Sequence, residues 1–489
     1  MKTFRYIALL SLITLPFLGN GQSNINVLAS ENAASVPIPF EAHSSIRPSI
    51  EILKQDTLTI FRPKCAFSPP HFIKYRPNLW LDAVNQFKGT GQEQNYGAGM
   101  WLNAKFSDNW SANFGIRYVY QSANDSLQTP SINSQSMLRF NTSGLDIRGR
   151  IRYQFHPNIQ FIAGVDKNFI GEGNRSVLLS DYGNPYSFVQ MQFKIWKFKY
   201  LFMTQFLKES NAAQESSYSN KYAATHYLDY NVCKGFSIGF FESVLFQPKD
   251  TLLNRGFDLE YINPMVFFRP QEYNNGSADN VLVGFNTHYT YKNVKVYGQL
   301  ALDEFLLNEL KARNGFWGNK YSAQLGVKGT HRLQQLKLFW RTEFNYIQRF
   351  TYSHLSNLQN YGNLNSPLAH PLQSGFQEIL AEFSLAYGKK DRFRCAIFGA
   401  ITSLKKNVDL TTNVGEHIYS PYNTRAGDYG YFVPHFSKNT LNPFGNIKLS
   451  YTTSNNFYEV FVQGGINNLQ QNFIAFGLRS QIGNLYLNY

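Results

Sequence analysis

The sequence predicts an all-β chain folded as a transmembrane antiparallel β-barrel of about 18 strands, with short periplasmic turns and long external loops. Three observations carry that reading. The run Asp146-Ile147-Arg148-Gly149-Arg150-Ile151-Arg152-Tyr153-Gln154-Phe155 alternates with a period of two, so Ile147, Ile151, Tyr153 and Phe155 share one face of a strand and three guanidiniums share the other. A soluble sheet alternates too, but here the pattern recurs along most of the chain and its polar face often carries several charges. The connections between these runs take turns at being tight and long, as they do in bacterial outer-membrane barrels. Finally, nothing after the amino terminus approaches the ~20 apolar residues that a membrane helix needs. Charged residues make up only 16%, yet the chain holds 42 Phe and 31 Tyr. Rings spread over alternating strands suit a lipid-facing belt better than a single soluble core.

Taken in order, residues 1–21 read as a secretory signal. Lys2 and Arg5 precede a nearly unbroken apolar run from Tyr6 to Leu18, and Gly19-Asn20-Gly21 follows. Over 22–76 the prolines Pro37, Pro39, Pro48, Pro63, Pro69 and Pro70 break any helical or strand period. This stretch is expected to be irregular, either a periplasmic arm or a plug folded into the barrel, with one short alternating run from Ile50 to Phe61. Residues 77–489 are expected to form the barrel. Cys65, Cys233 and Cys395 are odd in number and far apart, with neither metal-site spacing nor a disulfide framework, and read as packing residues.

Strands are expected at 78–87, 96–106, 109–121, 139–155, 159–167, 187–196, 198–207, 222–233 and 236–247. A second set follows at 278–291, 293–303, 316–330, 333–350, 376–388, 391–404, 440–452, 456–466 and 472–489. Trp110, Ala112, Phe114, Ile116, Tyr118 and Tyr120 oppose Ser111, Asn113 and Arg117, and Val294, Val296, Leu300 and Leu302 oppose Lys295, Gln299 and Asp303. Tight links at Ser107-Asp108, His156-Pro157-Asn158, Lys234-Gly235, Lys389-Lys390 and Thr453-Ser454-Asn455 alternate with long ones at 122–138, 168–186, 208–221, 248–277, 304–315, 351–375 and 405–439. An even strand count returns the carboxyl end to the periplasm, where the amphipathic run Phe473 to Tyr489 closes the chain. Tyr118, Tyr120, Tyr153, Phe155, Phe339 and Trp340 are placed in the interfacial aromatic girdles. A β-propeller repeats every ~40 to 50 residues, and no such period is present.

The catalytic search is largely negative: there is no GxSxG, HExxH or Walker loop, and Gly171-Glu172-Gly173 is too short for a nucleotide fingerprint. No enzyme, cofactor or metal site is expected. Glu172/Asp181 and Asp303/Glu304 are carboxylate pairs, but Lys167, Arg175 and Lys311 nearby make ion pairs the simpler reading. Three external segments mix charge, Gly/Pro and rings. They are Asp166 to Ser176, Arg255 to Pro270, and Phe350 to Pro371. Such segments either fold inward and close the pore through salt bridges or hold saccharide between aromatic faces and planar polar groups. The glycan candidates are Lys167, Glu172, Arg175, Asp181, Arg269, Glu272, Trp317, Tyr352, His354 and His370.

These segments also carry a family resemblance. Asp166 to Asp181, then Glu260, Asn263-Pro264, Arg269-Pro270, Asp303-Glu304-Phe305 and Asn314-Gly315-Phe316-Trp317-Gly318, and finally Tyr352-Ser353-His354 with His370-Pro371-Leu372 resemble the Wzi-type capsule assembly family, over roughly 75–489. Its Bacteroidetes branch, which includes the RemB-type gliding motility proteins, is the nearest likeness. The resemblance implies an outer-membrane barrel that holds surface polysaccharide at the cell exterior and whose lumen is closed to bulk solute. It also implies, by association, an accessory role in gliding or secretion machinery. The helical bundle that precedes the barrel in the family is not expected, because 22–76 has no helical period.

Net charge is +14 for the full sequence, and basic external loops would favour acidic polysaccharide or lipopolysaccharide phosphates. Membrane lipid, lipopolysaccharide and surface glycan are thus the expected partners, and nucleic acid is not. A solute channel is the competing function, but Arg148, Arg150, Arg152, Asp166, Arg341 and Glu343 supply enough opposite charge to fill a lumen. The arginine ladder is itself a prediction. Like charges about 6.6 Å apart along a strand need interleaved carboxylates, for which Asp166, Glu172 and Asp181 are the candidates.

Overall fold

The computed structural model describes residues 44–47, 74–88, 91–121, 138–140, 143–210, 218–248, 256–257, 259–263, 279–388, 391–407, 413–431, 437–452, 458–466 and 472–480. The signal segment, Cys65, the run Ile50 to Phe61, the last nine residues, Arg269 and Glu272 lie outside them.

Eighteen antiparallel strands close into one barrel. They are β1 (Lys74–Lys88), β2 (Gly91–Lys105), β3 (Trp110–Gln121), β4 (Ser143–His156), β5 (Ile159–Asp166), β6 (Tyr186–Ile195), β7 (Phe198–Ser210), β8 (Tyr218–Cys233) and β9 (Phe236–Phe246). There follow β10 (Asn280–Tyr291), β11 (Val294–Glu304), β12 (Lys320–Leu333), β13 (Leu336–Ile347), β14 (Phe376–Tyr387), β15 (Phe393–Asn407), β16 (Ser437–Thr452), β17 (Tyr458–Ile466) and β18 (Asn472–Ser480). Each strand pairs with its sequence neighbours, and the seam closes where β1 meets β18, from Asp82↔Arg479 to Lys88↔Phe473. All the expected strands are present.

Closure leaves no edge, so every wall strand satisfies its backbone within the sheet, as a span through hydrocarbon demands. The period of two then sorts side chains. Along β3 the even-numbered Phe114, Ile116, Tyr118 and Tyr120 are exposed on the outer face, while Ser111, Asn113 and Arg117 are buried inside. Met100, Leu325, Ile379, Ile397, Ile447, Val462 and Ile474 continue the outer belt. No described helix is long and apolar enough to cross a membrane; the strands do it. One girdle assignment fails. Phe339 occupies an odd position on β13, the same parity as Lys337 and Arg341, and is buried in the lumen against Ala386, with the Arg341 guanidinium over its ring.

Two-residue turns at Trp196-Lys197, Lys292-Asn293 and Gln334-Gln335 start with φ near +50° at Trp196, Lys292 and Gln334. That is the left-handed conformation that matches the twist of a tight hairpin. These turns mark the periplasmic rim, and the long loops mark the exterior.

The long loops fold inward. Ile170, Val177, Leu178 and Leu179 of the β5–β6 loop pack with Tyr352, Tyr361, Leu368 and Ala369 of the β13–β14 loop, against Leu201, Met203, Tyr227, Phe241 and Leu282 of the wall. The barrel therefore has an apolar core inside its lumen. Ile46 joins that core, and Ile46–Arg47 pairs antiparallel with Phe169–Ile170. Of the 22–76 stretch, residues 44–47 lie against the inward-folded β5–β6 loop and residues 74–76 open β1; the rest is outside the described residues.

Candidate functional site

The tip of the β5–β6 loop is held by charge deep in the lumen. Glu172 is fully buried, with Lys295 Nζ at 3.1 Å, Lys328 Nζ at 3.2 Å and His288 Nδ1 at 3.4 Å. Lys295 and Lys328 stand near the periplasmic ends of β11 and β12, so an external loop reaches nearly through the barrel. From the amino-terminal side, the Ser44 hydroxyl donates to Glu172, and the backbone N–H of Gly171 donates to Ser45 O at 2.8 Å. The glycines flanking Glu172 have a steric reason: a Cβ at Gly171 would collide with the Gln299 amide, and one at Gly173 with the Glu343 carboxylate. Glu343 accepts from the Asn174 N–H at 2.8 Å, the Arg175 N–H at 3.2 Å and the Tyr297 hydroxyl at 2.8 Å. It serves as a cradle for the loop backbone.

The arginine ladder of β4 faces the lumen, and acids interleave with it. Asp146 takes both Nε and Nη2 of Arg148 at 2.9 Å and also Nη2 of Arg117 at 2.9 Å; Arg117 bonds Asp82 as well. Arg150 pairs with Asp166 at 2.7 Å, and Arg152 donates to Ser111 at 3.2 Å. Asp166 was an expected partner, whereas Asp146 and Asp82 were not. Glu172 stands instead at the lysines of the far wall. Asp181 is buried in the same loop, within the field of Arg148 and Lys167. Burial, and then the field of Arg148, push the Lys167 ammonium down to about 7; its Nζ donates to Tyr182 O at 3.4 Å.

Above the plug, three external loops meet and build a platform of rings and charges. The Trp317 N–H donates to Asp428 O at 3.0 Å, the Gly430 N–H to Asn314 O at 3.0 Å and the Phe350 N–H to Gly415 O at 2.9 Å, which staples 305–319 and 348–375 to 413–431. Trp317 and Tyr422 are 4.7 Å apart, the Arg425 guanidinium lies 4.2 Å over Trp317, and Phe316 meets Tyr429 at 5.6 Å. Arg425 is held by Asp428 at 2.6 Å, and Lys320, ion-paired with Asp303 at 3.4 Å and Glu304 at 3.0 Å, sits 5.1 Å over Tyr422. Lys320, not Lys311, is therefore the partner of that acid pair. Asn423, Thr424, Asp428 and Tyr429 are exposed, and Trp317 and Tyr422 are half-buried. Phe350 and Tyr352 hold φ of 63° and 73°, a left-handed backbone costing bulky residues about 1–3 kcal/mol each, which the surrounding packing must offset.

The structure divides the glycan candidates. Trp317 belongs to the platform, and His354 meets Tyr422 at 5.5 Å; burial, aided by Lys320, lowers its imidazole to about 4 and keeps it neutral. Arg269 and Glu272 lie outside the described residues, and the remaining candidates lie inside. Tyr352 donates to Val177 O at 2.6 Å, His370 contacts Glu378 at 3.0 Å, and Arg175 is fully buried with its guanidinium 5.9 Å over Phe398. In the wall, Arg341 reaches Glu382 at 3.8 Å. Sequence reasoning passed over Tyr422, Arg425, Asp428 and Tyr429. Their dense mix of rings and charges was visible, but within a long loop placed only as a connection.

No family model matches the sequence, and no curated protein matches it. Solved structures do. The chain is similar to Wzi of Escherichia coli, described as an outer-membrane protein involved in group 1 capsule assembly and a carbohydrate-binding β-barrel. The TM-score is 0.52 at 12% identity, covering 82% of this chain and 84% of that one. Pseudomonas aeruginosa OprD aligns with a TM-score of 0.43 at 10% identity over 83% and 94%, and Acinetobacter baumannii OccAB1 with 0.45 at 9% over 83% and 96%. At such identities the likeness to Wzi concerns the fold: this chain is a closed barrel of 18 strands of the outer-membrane type.

Proposed function

We propose that this chain is a non-enzymatic outer-membrane barrel that holds surface polysaccharide against the cell exterior through the platform of Trp317, Tyr422 and Arg425. The observation that carries the reading is the placement of an open ring-and-charge surface on top of a lumen filled by the protein's own loops. A half-buried indole beside a planar guanidinium offers a sugar a face to stack on and donors for its hydroxyls. The apolar core that the loops form inside the lumen speaks against a solute channel. Wzi, described as a carbohydrate-binding barrel, gives the reading a precedent on the same fold. Motility and secretion partners form no part of it, because none of the described contacts bears on them.

The test is binding of polysaccharide, extracted from the surface of the producing cells, to the full chain purified in detergent. Trp317→Ala is expected to weaken binding roughly tenfold, a loss of ~1.4 kcal/mol. Because the Trp317 ring lies outside the apolar core of the lumen, heat stability should change little. A Trp317→Ala protein that binds as well as the parent would contradict the assignment.

A further inference from the structure

The buried charges of the lumen are mostly balanced. Arg117 and Arg148 face Asp82 and Asp146, Arg150 faces Asp166, Lys221 faces Glu209 at 3.0 Å, and Lys320 has two carboxylates. Lys295 and Lys328 share Glu172, and a second cluster departs further from balance. On β17 the buried Glu459 takes Lys448 Nζ of β16 at 3.1 Å and Arg479 Nε of β18 at 2.5 Å. Arg394 of β15 lies within the field of Glu459, Asp391 and Arg479, but its Nε donates to a backbone carbonyl, Asp391 O, at 3.2 Å. The Asp391 carboxylate is ion-paired with Lys337. Among the described residues no carboxylate ion-pairs with Arg394. Three cations thus share one acid.

We propose that this cluster is an oxyanion site at the periplasmic mouth of the lumen, which takes a phosphate-type dianion. Lys448 and Arg479 both lie over the Phe461 ring, at 5.9 and 6.0 Å, so the two cationic heads share an apolar floor. Thr452, directly opposite Glu459 in the β16–β17 register, is fully buried, and its hydroxyl has no hydrogen-bond partner among the described residues. It is a donor awaiting an acceptor. The Lys448 and Arg479 side chains keep 21% and 16% of their surface exposed. Arg394 and Glu459 are each the second residue of their strand, and Arg479 is one residue from the end of β18. At about 3.3 Å per residue, each of these lies within about 7 Å of the rim. A dianion cancels the surplus of two positive charges, and two guanidiniums offer the planar donor pairs that phosphate oxygens accept. The same chemistry is presented by a free phosphate ester and by a phospholipid headgroup.

The test is calorimetric titration of the full chain in maltoside detergent, at constant ionic strength, with inorganic phosphate and separately with short-chain phosphatidic acid in mixed micelles. Saturable phosphate binding is expected, weakened at least tenfold by Arg394→Gln, which breaks no ion pair among the described residues. Lys448→Gln should weaken it similarly, while Lys105→Gln, at the exposed rim pair with Asp108, should leave it unchanged. Stronger binding of phosphatidic acid than of phosphate identifies a lipid source, and the reverse identifies a soluble one. Absence of saturable binding to either probe, or binding indifferent to Arg394→Gln, overturns the proposal.

Discussion

Glu172→Leu is expected to cost about 3–5 kcal/mol of stability, because it leaves Lys295 and Lys328 buried without their shared carboxylate. The Glu172 side chain and both lysine side chains are at most 4% exposed, so water cannot replace what the carboxylate supplies. Guanidinium unfolding of the detergent-solubilised protein, followed by tryptophan fluorescence, should register the loss. A second substitution, Lys295→Met, should recover part of it, since removing a buried charge outright costs less than orphaning it. An unchanged unfolding midpoint for Glu172→Leu would mean that the plug tip is not anchored there. The same substitution loosens the attachment of Ser44 and Ser45 to the loop, so its effect reaches beyond the ion pairs.

Ile151→Arg is expected to cost about 2–4 kcal/mol, the penalty for a cation on the lipid face of a barrel near the bilayer midplane. Ile151 is 53% exposed on the outer face of β4, well inside the strand ends. Refolding into lipid vesicles in the presence of denaturant measures it, and a cost below ~1 kcal/mol would place this face outside the hydrocarbon. On sequence grounds the lumen substitution Arg150→Gln ought to be the milder of the two. The structure shows what that substitution gives up: Arg150 holds Asp166 at 2.7 Å, donates to Lys167 O and lies 5.1 Å over the Phe188 ring. Glutamine leaves Asp166 without that ion pair, so both substitutions belong among the costly ones.

The wall was legible because its signal is local. A period of two shows in any ten residues, and tight turns punctuate it, so the expected strands coincide with the observed ones to within a few residues. The lumen was only half legible. That Arg148 and Arg150 must meet acids follows from Coulomb repulsion along one strand, and Asp166, sixteen residues on from Arg150, was within reach of such reasoning. Asp82 of β1 pairs with Arg117 of β3 across the intervening strand β2, and Glu172 finds Lys328 more than 150 residues away. The first depends on the register of three neighbouring strands and the second on how deep an external loop descends, which no local pattern encodes. The platform was the least legible part. Trp317 carried a visible motif, but Tyr422 and Arg425 become its neighbours only through backbone pairing between two loops. Phe339 failed for a simpler reason: its aromatic character was weighed above its parity.

The central claim is that the protein's own loops fill the barrel, leaving its outer face to do the binding. Recording purified protein in planar bilayers tests this most directly. The account predicts no steady open conductance from the parent protein, and the appearance of open channels when the plug segment 168–184 is replaced by a short glycine-serine linker. A steady open conductance from the unaltered protein would contradict it.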